Sequence, residues 1–98
     1  MVNERYKYTK RAQQDLIKIY KDTIRRWGGG QADKYEAGIK NAVELLADNP
    51  ELGRGCDEIR KGLHRHEHER HIIFYRKRKA DISIVRIIYE GMDIKRHL

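Results

Sequence analysis

The sequence predicts an α+β domain in which an N-terminal strand and an antiparallel helical hairpin pack on a small antiparallel β-sheet. Two observations predict this fold class. Apolar residues recur every three or four positions between Thr9 and Asn49, and β-branched runs with strand-like patterning follow after Gly62. With 98 residues the chain can bury one core, so we expect a single domain over residues 1–98.

The first half of the chain predicts one strand and two helices. "YKYT" at 6–9 alternates tyrosine with polar residues, as a short strand does, and Thr9 is suited to cap the following helix. "GGG" at 28–30 ends that helix after Trp27, and "NP" at 49–50 ends the second. The apolar faces predict the core positions, which are Ala12, Leu16, Ile19, Tyr20, Thr23 and Trp27 in the first helix and Ala32, Tyr35, Ile39, Ala42, Val43 and Leu46 in the second.

The second half of the chain predicts an antiparallel sheet. "HIIFYRKR" and "DISIVRIIY" are β-branched and aromatic runs joined by a short turn, and "GLHRHEHE" before them is a candidate third strand. The helical hairpin covers one face of this sheet. Gly38 interrupts the second helix, which predicts that the two helices approach each other closely there.

Composition limits the partners and the compartment. A net charge of +7 favours acidic partners, either nucleic acid or an acidic protein surface. No apolar run reaches the roughly 20 residues of a membrane span, and the N-terminus carries no apolar leader, so we expect a cytoplasmic protein without membrane contact. Cys56 is the only cysteine and cannot form an internal disulfide. We expect it to be a small, partly buried loop residue and not a nucleophile.

Two groups of polar residues are candidates for chemistry. His64, His66 and His68 alternate, with His71 nearby, but three histidines on one strand seldom ligate one ion, so a charged strand end is preferred to a metal site. We expect no metal and no cofactor. Arg86 interrupts the apolar run "ISIVRIIY" and is either paired within the sheet or presented on a functional face.

Five segments resemble the ParE-type toxins of the RelE/ParE superfamily of bacterial toxin–antitoxin systems. They are "DLIKIY" with "RWGGGQADKY", "LADNPELGRGCDEIRKGL", "HIIFYR" and "VRIIYEGMDIKRHL", in that order and spacing. The resemblance covers nearly the whole chain. It implies the helical hairpin and sheet described above, and a toxin that binds and inhibits DNA gyrase without catalysis.

The resemblance also implies the partners. A cognate antitoxin carries a tail, disordered when free and rich in acidic and apolar residues, that wraps the toxin. The complex is then a hetero-oligomer bound to its operator DNA through the antitoxin. We expect partner contacts at Ile17, Tyr20 and Ile24 on the first helix, and at Arg54, Arg60, Arg65, Arg86, Met92 and Asp93.

Two other functions stay open at the level of sequence. RelE-like relatives cleave messenger RNA on the ribosome, and here Arg65, Arg86 and Tyr89 would be the catalytic residues. Tyr89 stands where the ParE pattern usually has a histidine, which keeps this alternative in view. A basic nucleic-acid-binding module is the third possibility, and it depends on charge alone.

Overall fold

The protein forms one helical layer against one face of a five-stranded sheet. The computed structural model describes residues 5–98. The strands lie in the spatial order β1-β5-β4-β3-β2. Along the chain the elements are β1 (Tyr6–Tyr8), α1 (Lys10–Trp27), α2 (Gly29–Asp48), β2 (Arg54–Gly55), β3 (Leu63–His68), β4 (His71–Lys77), β5 (Ile82–Tyr89) and a C-terminal turn of helix, α3 (Ile94–His97).

The ends of the long helices agree with the sequence signals. Thr9 caps α1, since its hydroxyl accepts a hydrogen bond from the amide of Ala12 at 3.1 Å. The turn between the helices is shorter than "GGG" suggests. Gly28 alone separates them, with φ of +89° that a residue with a side chain rarely adopts, and Gly29 already belongs to α2.

The sheet is mixed, which differs in one strand from the antiparallel sheet that the sequence predicts. β2, β3, β4 and β5 pair antiparallel as expected, whereas β1 pairs parallel to β5 through Tyr6–Tyr8 and Ile82–Ile84. No hairpin joins β1 to its neighbour, so local turn chemistry does not fix its direction. The two-residue β2 and the four-residue α3 are too short to give a periodic signal.

A β-bulge in the pairing of β4 with β5 changes which residues of β5 face the helices. Phe74 pairs with Arg86 and Tyr75 pairs with Ile84, so Val85 has no partner. As a result Ile84 and Ile87 both join the core beneath the helices, although they are three residues apart. The bulge thus takes Arg86 out of the simple alternation of strand side chains.

Two apolar clusters lie on opposite faces of the sheet. The cluster beneath the helices combines one face of each helix with β4 and β5, and its members are Ala12, Ile19, Ile39, Ala42, Val43, Leu46, Ile73, Tyr75, Ile82, Ile84 and Ile87. The second cluster contains Cys56, Leu63, Ile72, Phe74 and Ile88, and the segment around Ile59, together with Ile94 and Leu98, packs against it. Both faces of the central strands are therefore covered.

Three predicted environments are wrong. Trp27 lies at the C-terminal end of α1 and is 73% exposed, because the core ends before the last turn of the helix. Gly38 does face a close neighbour, but the neighbour is the His68 ring on β3 and not α1; that ring lies 3.2 Å from the position that a Cβ would occupy. Cys56 is fully buried and not partly exposed, and burial raises the pKa of its thiol.

Tyr75 fixes the segment that leads from α2 into the sheet. Its buried hydroxyl accepts from the amide of Gly53 at 2.9 Å and donates to the carbonyl of Pro50 at 2.7 Å. A Cβ at Gly53 would lie 2.5 Å from that hydroxyl and 2.8 Å from the backbone oxygen of Arg65. Only glycine therefore fits without displacing backbone.

We expect Gly53→Ala to lower the free energy of unfolding by about 2 kcal/mol or more, the cost typical of forcing extra volume into a packed site. Gly55→Ala is the matched control, because a Cβ there meets nothing within 4 Å. It should change stability by less than about 0.5 kcal/mol. Urea unfolding followed by circular dichroism measures both, and equal effects of the two variants would contradict the close packing at Gly53.

Candidate functional site

A cleft opens where the two long helices meet one end of the sheet. It lies between the end of α1, the start of α2, the β3–β4 turn and the residues after β5, and it encloses about 690 Å³. Pockets of this size with apolar walls and a few polar groups are typical binding sites. The walls are Ile19, Trp27, Tyr35, Tyr89 and Met92, and the polar groups are Asp22, Thr23, Arg26, Gln31, Glu69, Arg70 and His71.

A hydrogen-bonded tyrosine and histidine form one wall of the cleft. Tyr35 Oη and His71 Nδ1 lie 2.6 Å apart. The rings of Tyr89 and His71 meet edge to face with centroids 5.8 Å apart. Burial, and secondarily the nearby His68, lowers the pKa of His71, and burial raises the pKa of Tyr35. Both members of the pair are therefore neutral near pH 7.

Two arginines of the cleft are available to a ligand. Arg26 and Arg70 are exposed, and among residues 5–98 neither has a carboxylate within 4 Å. The carboxylates of the cleft have other neighbours. Asp22 contacts Lys18 and Arg25, and the hydrogen bond from Lys18 lowers its pKa, while Glu69 lies 3.5 Å from His68. The cleft thus combines apolar walls with two guanidinium groups that lack a partner within the described chain.

An apolar stripe on the outside of α1 leads into the cleft. Ile17, Tyr20, Ile24 and Trp27 follow one another at spacings of three and four, so they share one face of the helix. We call these four residues the α1 outer stripe. Ile17 is 55% exposed and Ile24 is 42% exposed, whereas Tyr20 is half-buried and donates a hydrogen bond to Asp33 at 2.6 Å. Trp27 belongs both to this stripe and to the cleft.

Arg86 is buried and fully engaged within the fold. Its Nε and Nη2 donate to the two carboxylate oxygens of Asp15 at 2.8 and 2.9 Å, and its Nη1 contacts the carbonyl of His97. Asp15 also accepts the amide of Ile87 at 2.9 Å. Only 8% of Arg86 is exposed. The hydrogen bond with Asp15 raises the pKa of Arg86. This arginine joins α1, β5 and the C-terminal segment.

The other predicted partner residues are dispersed. Arg65 lies over the Phe74 ring on the face away from the helices and pairs with Glu67 at 2.9 Å. Arg54 is exposed, 3.6 Å from the same carboxylate, and Arg60 contacts the backbone oxygen of Leu98. Met92 lines the cleft, and Asp93 caps α3 through the amide of Lys95. The residues predicted from sequence therefore lie on several surfaces, of which the cleft and the α1 outer stripe hold Ile17, Tyr20, Ile24, Tyr89 and Met92.

The histidines of β3 lie along one face of that strand but at separate sites. The His64 ring stacks on Tyr75 at 5.4 Å, and His68 contacts Tyr35 and Gly38. Within residues 5–98, no three histidine, cysteine or acidic side chains come close enough together to hold a metal ion. In the same part of the chain, neither long helix is apolar enough to cross a membrane.

Several residues of the cleft are not evident from sequence. Tyr35 fits the core stripe of α2 and gives no sign that its hydroxyl meets His71, 36 positions away. Arg26 and Arg70 are two of 22 basic residues, and composition does not separate them from the others. The one signal that could have indicated the site is "RWGG", in which a tryptophan occupies the last helical position before a glycine turn.

Comparison with known proteins identifies the family. The family model described as "ParE toxin of type II toxin-antitoxin system, parDE" matches residues 6–94. The chain belongs to the ParE toxin family. Toxin ParE1 of Mycobacterium tuberculosis is 37% identical over 98 residues, which covers 99% of this chain and all of that protein. Toxin ParE1 of Caulobacter vibrioides is 30% identical and covers 95% of this chain and 96% of its own length.

The fold agrees with this family. A solved chain from the chromosomal ParDE toxin–antitoxin system of P. aeruginosa superposes with a TM-score of 0.76, at 26% identity, over 86% of this chain and 92% of that one. The α+β architecture predicted from sequence is thereby confirmed, as is the assignment to ParE toxins of type II toxin–antitoxin systems.

The partly buried His71 of this ParE-family toxin predicts how stability depends on pH. Its folded pKa is lowered, so the unfolded chain binds its proton first as the pH falls. The contribution of His71 to stability is therefore present above about pH 6.5 and is lost as the pH falls toward the folded pKa. NMR titration of the imidazole should give a midpoint below about 6.5.

The variant His71→Gln isolates this effect from the four other histidines. Between pH 5 and 7 the unfolding free energy of the variant should change less with pH than that of the wild type. An imidazole midpoint at or above the ordinary value would contradict the partly buried, neutral histidine described above.

Proposed function

We propose that this ParE-family toxin inhibits DNA gyrase by binding it, without catalysing a reaction, and that a cognate antitoxin neutralises it. The proposal extends to a hetero-oligomeric complex that binds operator DNA through the antitoxin, and to action in the cytosol. Membership of the ParE family supports the toxin role. The observation that favours binding over catalysis is that the guanidinium of Arg86 is already hydrogen-bonded to Asp15 within the fold.

A nuclease needs cations that converge on the developing charge of the phosphorane. Arg86 directs its guanidinium to Asp15 and to the carbonyl of His97. Releasing it would leave Asp15 partly buried without a counterion, which typically costs several kcal/mol. A phosphate that recruited Arg86 would have to offset that cost.

The two other nuclease candidates lie on opposite faces of the sheet. Arg65 packs over Phe74, which belongs to the cluster away from the helices. Tyr89 contacts His71, whose hydrogen-bonding partner Tyr35 extends from the helical layer. A phosphodiester could not contact both side chains at once in this arrangement, which supports the proposal of a binding toxin.

A RelE-like messenger RNA endonuclease is the second candidate, and one observation favours it. The Tyr35–His71 pair is a neutral proton donor and acceptor at 2.6 Å, in a cleft that also holds Arg26 and Arg70. Such a pair is the kind of group that general acid–base catalysis uses. Assays of supercoiling and of translation separate this candidate from gyrase inhibition.

The toxin should reduce supercoiling by purified DNA gyrase in proportion to its concentration, because binding alone suffices for inhibition. In cells, DNA synthesis should stop before protein synthesis does. A supercoiling assay and pulse labelling of the two syntheses measure these effects. Cleaved messages and an early arrest of translation, with supercoiling unaffected, would contradict gyrase inhibition.

Two conservative variants serve as controls for catalysis. Tyr89→Phe and His71→Gln each remove a group able to move a proton. A general acid or base typically contributes a factor of about 10² to 10⁴ to a rate, so a nuclease should lose at least about 100-fold in activity. A toxin that acts by binding should keep its inhibition within about threefold of the wild type, since neither variant removes a charge or an apolar anchor.

The α1 outer stripe is the proposed contact for the antitoxin's tail. Its two isoleucines are exposed on a helix whose opposite face is already in the core. They lie seven residues apart, about 10 Å along the axis, which is the spacing at which a partner helix repeats its anchors. An acidic tail also complements a chain with net charge +7.

We expect Ile17→Lys/Ile24→Lys to weaken antitoxin binding by about 2 kcal/mol or more, since buried apolar anchors dominate such interfaces. Both residues are exposed, so the variant should fold. Titration calorimetry with the cognate antitoxin measures the loss, and circular dichroism checks the fold.

A matched control adds the same two charges elsewhere. Gln14 and Asn41 are exposed and lie outside the α1 outer stripe, so Gln14→Lys/Asn41→Lys should bind the antitoxin as tightly as the wild type or slightly tighter. Unchanged affinity in the folded isoleucine variant would assign the antitoxin to another surface.

A further inference from the structure

The cleft at the end of α1 combines exposed aromatic rings with cations. Trp27 is 73% exposed and Tyr89 is 40% exposed, and both line the cleft. Arg26 and Arg70 line it too, and within residues 5–98 neither guanidinium has a carboxylate within 4 Å. Aromatic rings beside arginines are the side chains with which proteins bind a nucleobase and its phosphate.

We propose that the cleft binds a nucleotide, with the base stacked against Tyr89 and Trp27 and the phosphate held by Arg26 and Arg70. The nucleotide is a free nucleoside phosphate or one unit of a single strand, since both present the same base and phosphate. The inference goes beyond gyrase inhibition and does not rest on it, because such a site needs neither gyrase nor an antitoxin. It concerns binding alone, and no bond is made or broken.

The aromatic walls favour a flat ligand. Every nucleobase has a π face, so an exposed ring stacks on it without selecting one base. The Tyr89 ring is held by its neighbours, since it meets the His71 ring edge to face at 5.8 Å and a Cβ at Gly91 would lie 2.8 Å from it. Tyr89 thus gives a base a fixed surface, and Trp27 adds a second ring at the same cleft.

The charges favour an anionic ligand. Of the two carboxylates that line the cleft, Asp22 already contacts two cations of α1, one of which is Lys18. Glu69 lies largely in water, since 65% of its side chain is exposed, and water weakens its repulsion of an anion. The guanidiniums of Arg26 and Arg70 are then available to a phosphate, which an arginine binds with two parallel hydrogen bonds.

The inner wall supplies uncharged hydrogen-bonding groups for a base. Tyr35 Oη and His71 Nδ1 lie 2.6 Å apart, and both side chains are neutral near pH 7. The exposed amide of Gln31, also in the wall, has two donor hydrogens and an acceptor oxygen. At about 690 Å³ the cleft lies within the range of about 300–1,000 Å³ typical of small-molecule and cofactor sites.

The sole tryptophan of the chain provides a direct test, because a base stacked on Trp27 quenches its fluorescence. The probes are AMP, GMP, CMP and UMP, with the matching nucleosides and inorganic phosphate alone. At least one nucleotide should quench the emission saturably and bind about tenfold or more tightly than its nucleoside, because the arginines hold only the phosphorylated form. Inorganic phosphate should compete with it without quenching.

A single-stranded hexanucleotide without terminal phosphates identifies the source of the nucleotide. Binding about tenfold or more tightly than the mononucleotide assigns the cleft to a strand, and weaker or equal binding assigns it to a free nucleotide. The absence of saturable quenching by the four mononucleotides and by hexanucleotides of each base would overturn the proposal.

Variants at exposed positions test each half of the site. Arg26→Ala/Arg70→Ala should weaken nucleotide binding about tenfold or more, whereas Lys10→Ala/Lys40→Ala, outside the cleft, should change it by less than about threefold. Equal losses in the two pairs would show a general effect of charge and overturn the proposal. Circular dichroism checks that each variant folds.

A matched pair at Tyr89 tests stacking. Tyr89→Leu should weaken binding about tenfold, because it removes the ring, and Tyr89→Phe should bind within about threefold of the wild type. Equal affinities of the two variants would contradict a base stacked on this ring.

The failure of this inference differs from the failure of the proposed function. Inhibition of gyrase by a toxin that no nucleotide quenches would overturn the nucleotide site alone. Saturable quenching without inhibition of gyrase would support the site and contradict gyrase inhibition alone. A peptide of six glutamates that competes as well as the best nucleotide would show that the cleft selects charge only, which would overturn the inference.

Discussion

The fold depends on Asp15, which joins α1 to the outer edge of β5. β1 pairs with β5 only as far as Ile84, so the backbone groups that follow have no strand beside them at that edge. The start of α1 satisfies them instead. The hydroxyl of Thr9 donates to the carbonyl of Val85 at 2.8 Å, and Asp15 accepts the amide of Ile87 at 2.9 Å. A carboxylate so placed needs a counterion, and Arg86 supplies it from the same strand.

This interaction also decides which surfaces remain for a partner. Because Arg86 contacts the carbonyl of His97, the C-terminal segment is held over the second apolar cluster, and Ile94 and Leu98 cover that face. The face beneath the helices is filled by the main core. Exposed apolar side chains then remain on the outside of α1, in the cleft beyond Trp27, and at Leu45 and Leu52. These exposed apolar surfaces are available to protein partners, whereas the buried cation Arg86 stabilises the fold.

The parts of the fold that follow from local chemistry are predictable. Helical periodicity and the Thr9 cap predict α1 to within a residue, and the β-branched and aromatic runs predict β4 and β5. "GLHRHEHE" has no β-branched residue and makes β3 only a candidate strand. The parallel pairing of β1 is not predictable, because no tight turn connects it to β5.

The role of Arg86 stays open in the sequence because the bulge at Val85, which removes it from the strand alternation, has no sequence signal. The cleft is hidden for a similar reason, since Tyr35 and His71 meet only once the β3–β4 turn lies against α2. Long-range pairs of this kind are decided by tertiary packing, and local patterns do not encode them.

A double-mutant cycle at Asp15 and Arg86 tests most directly whether this pair holds the fold together. Unfolding free energies of Asp15→Ala, Arg86→Ala and the double variant, measured by urea denaturation, isolate the coupling between the two side chains. We expect a favourable coupling of about 1.5 kcal/mol or more, because each single variant leaves one charge buried without its partner. Additive effects, within about 0.5 kcal/mol, would contradict the central role of Asp15 and show that the pair does not hold α1 to β5.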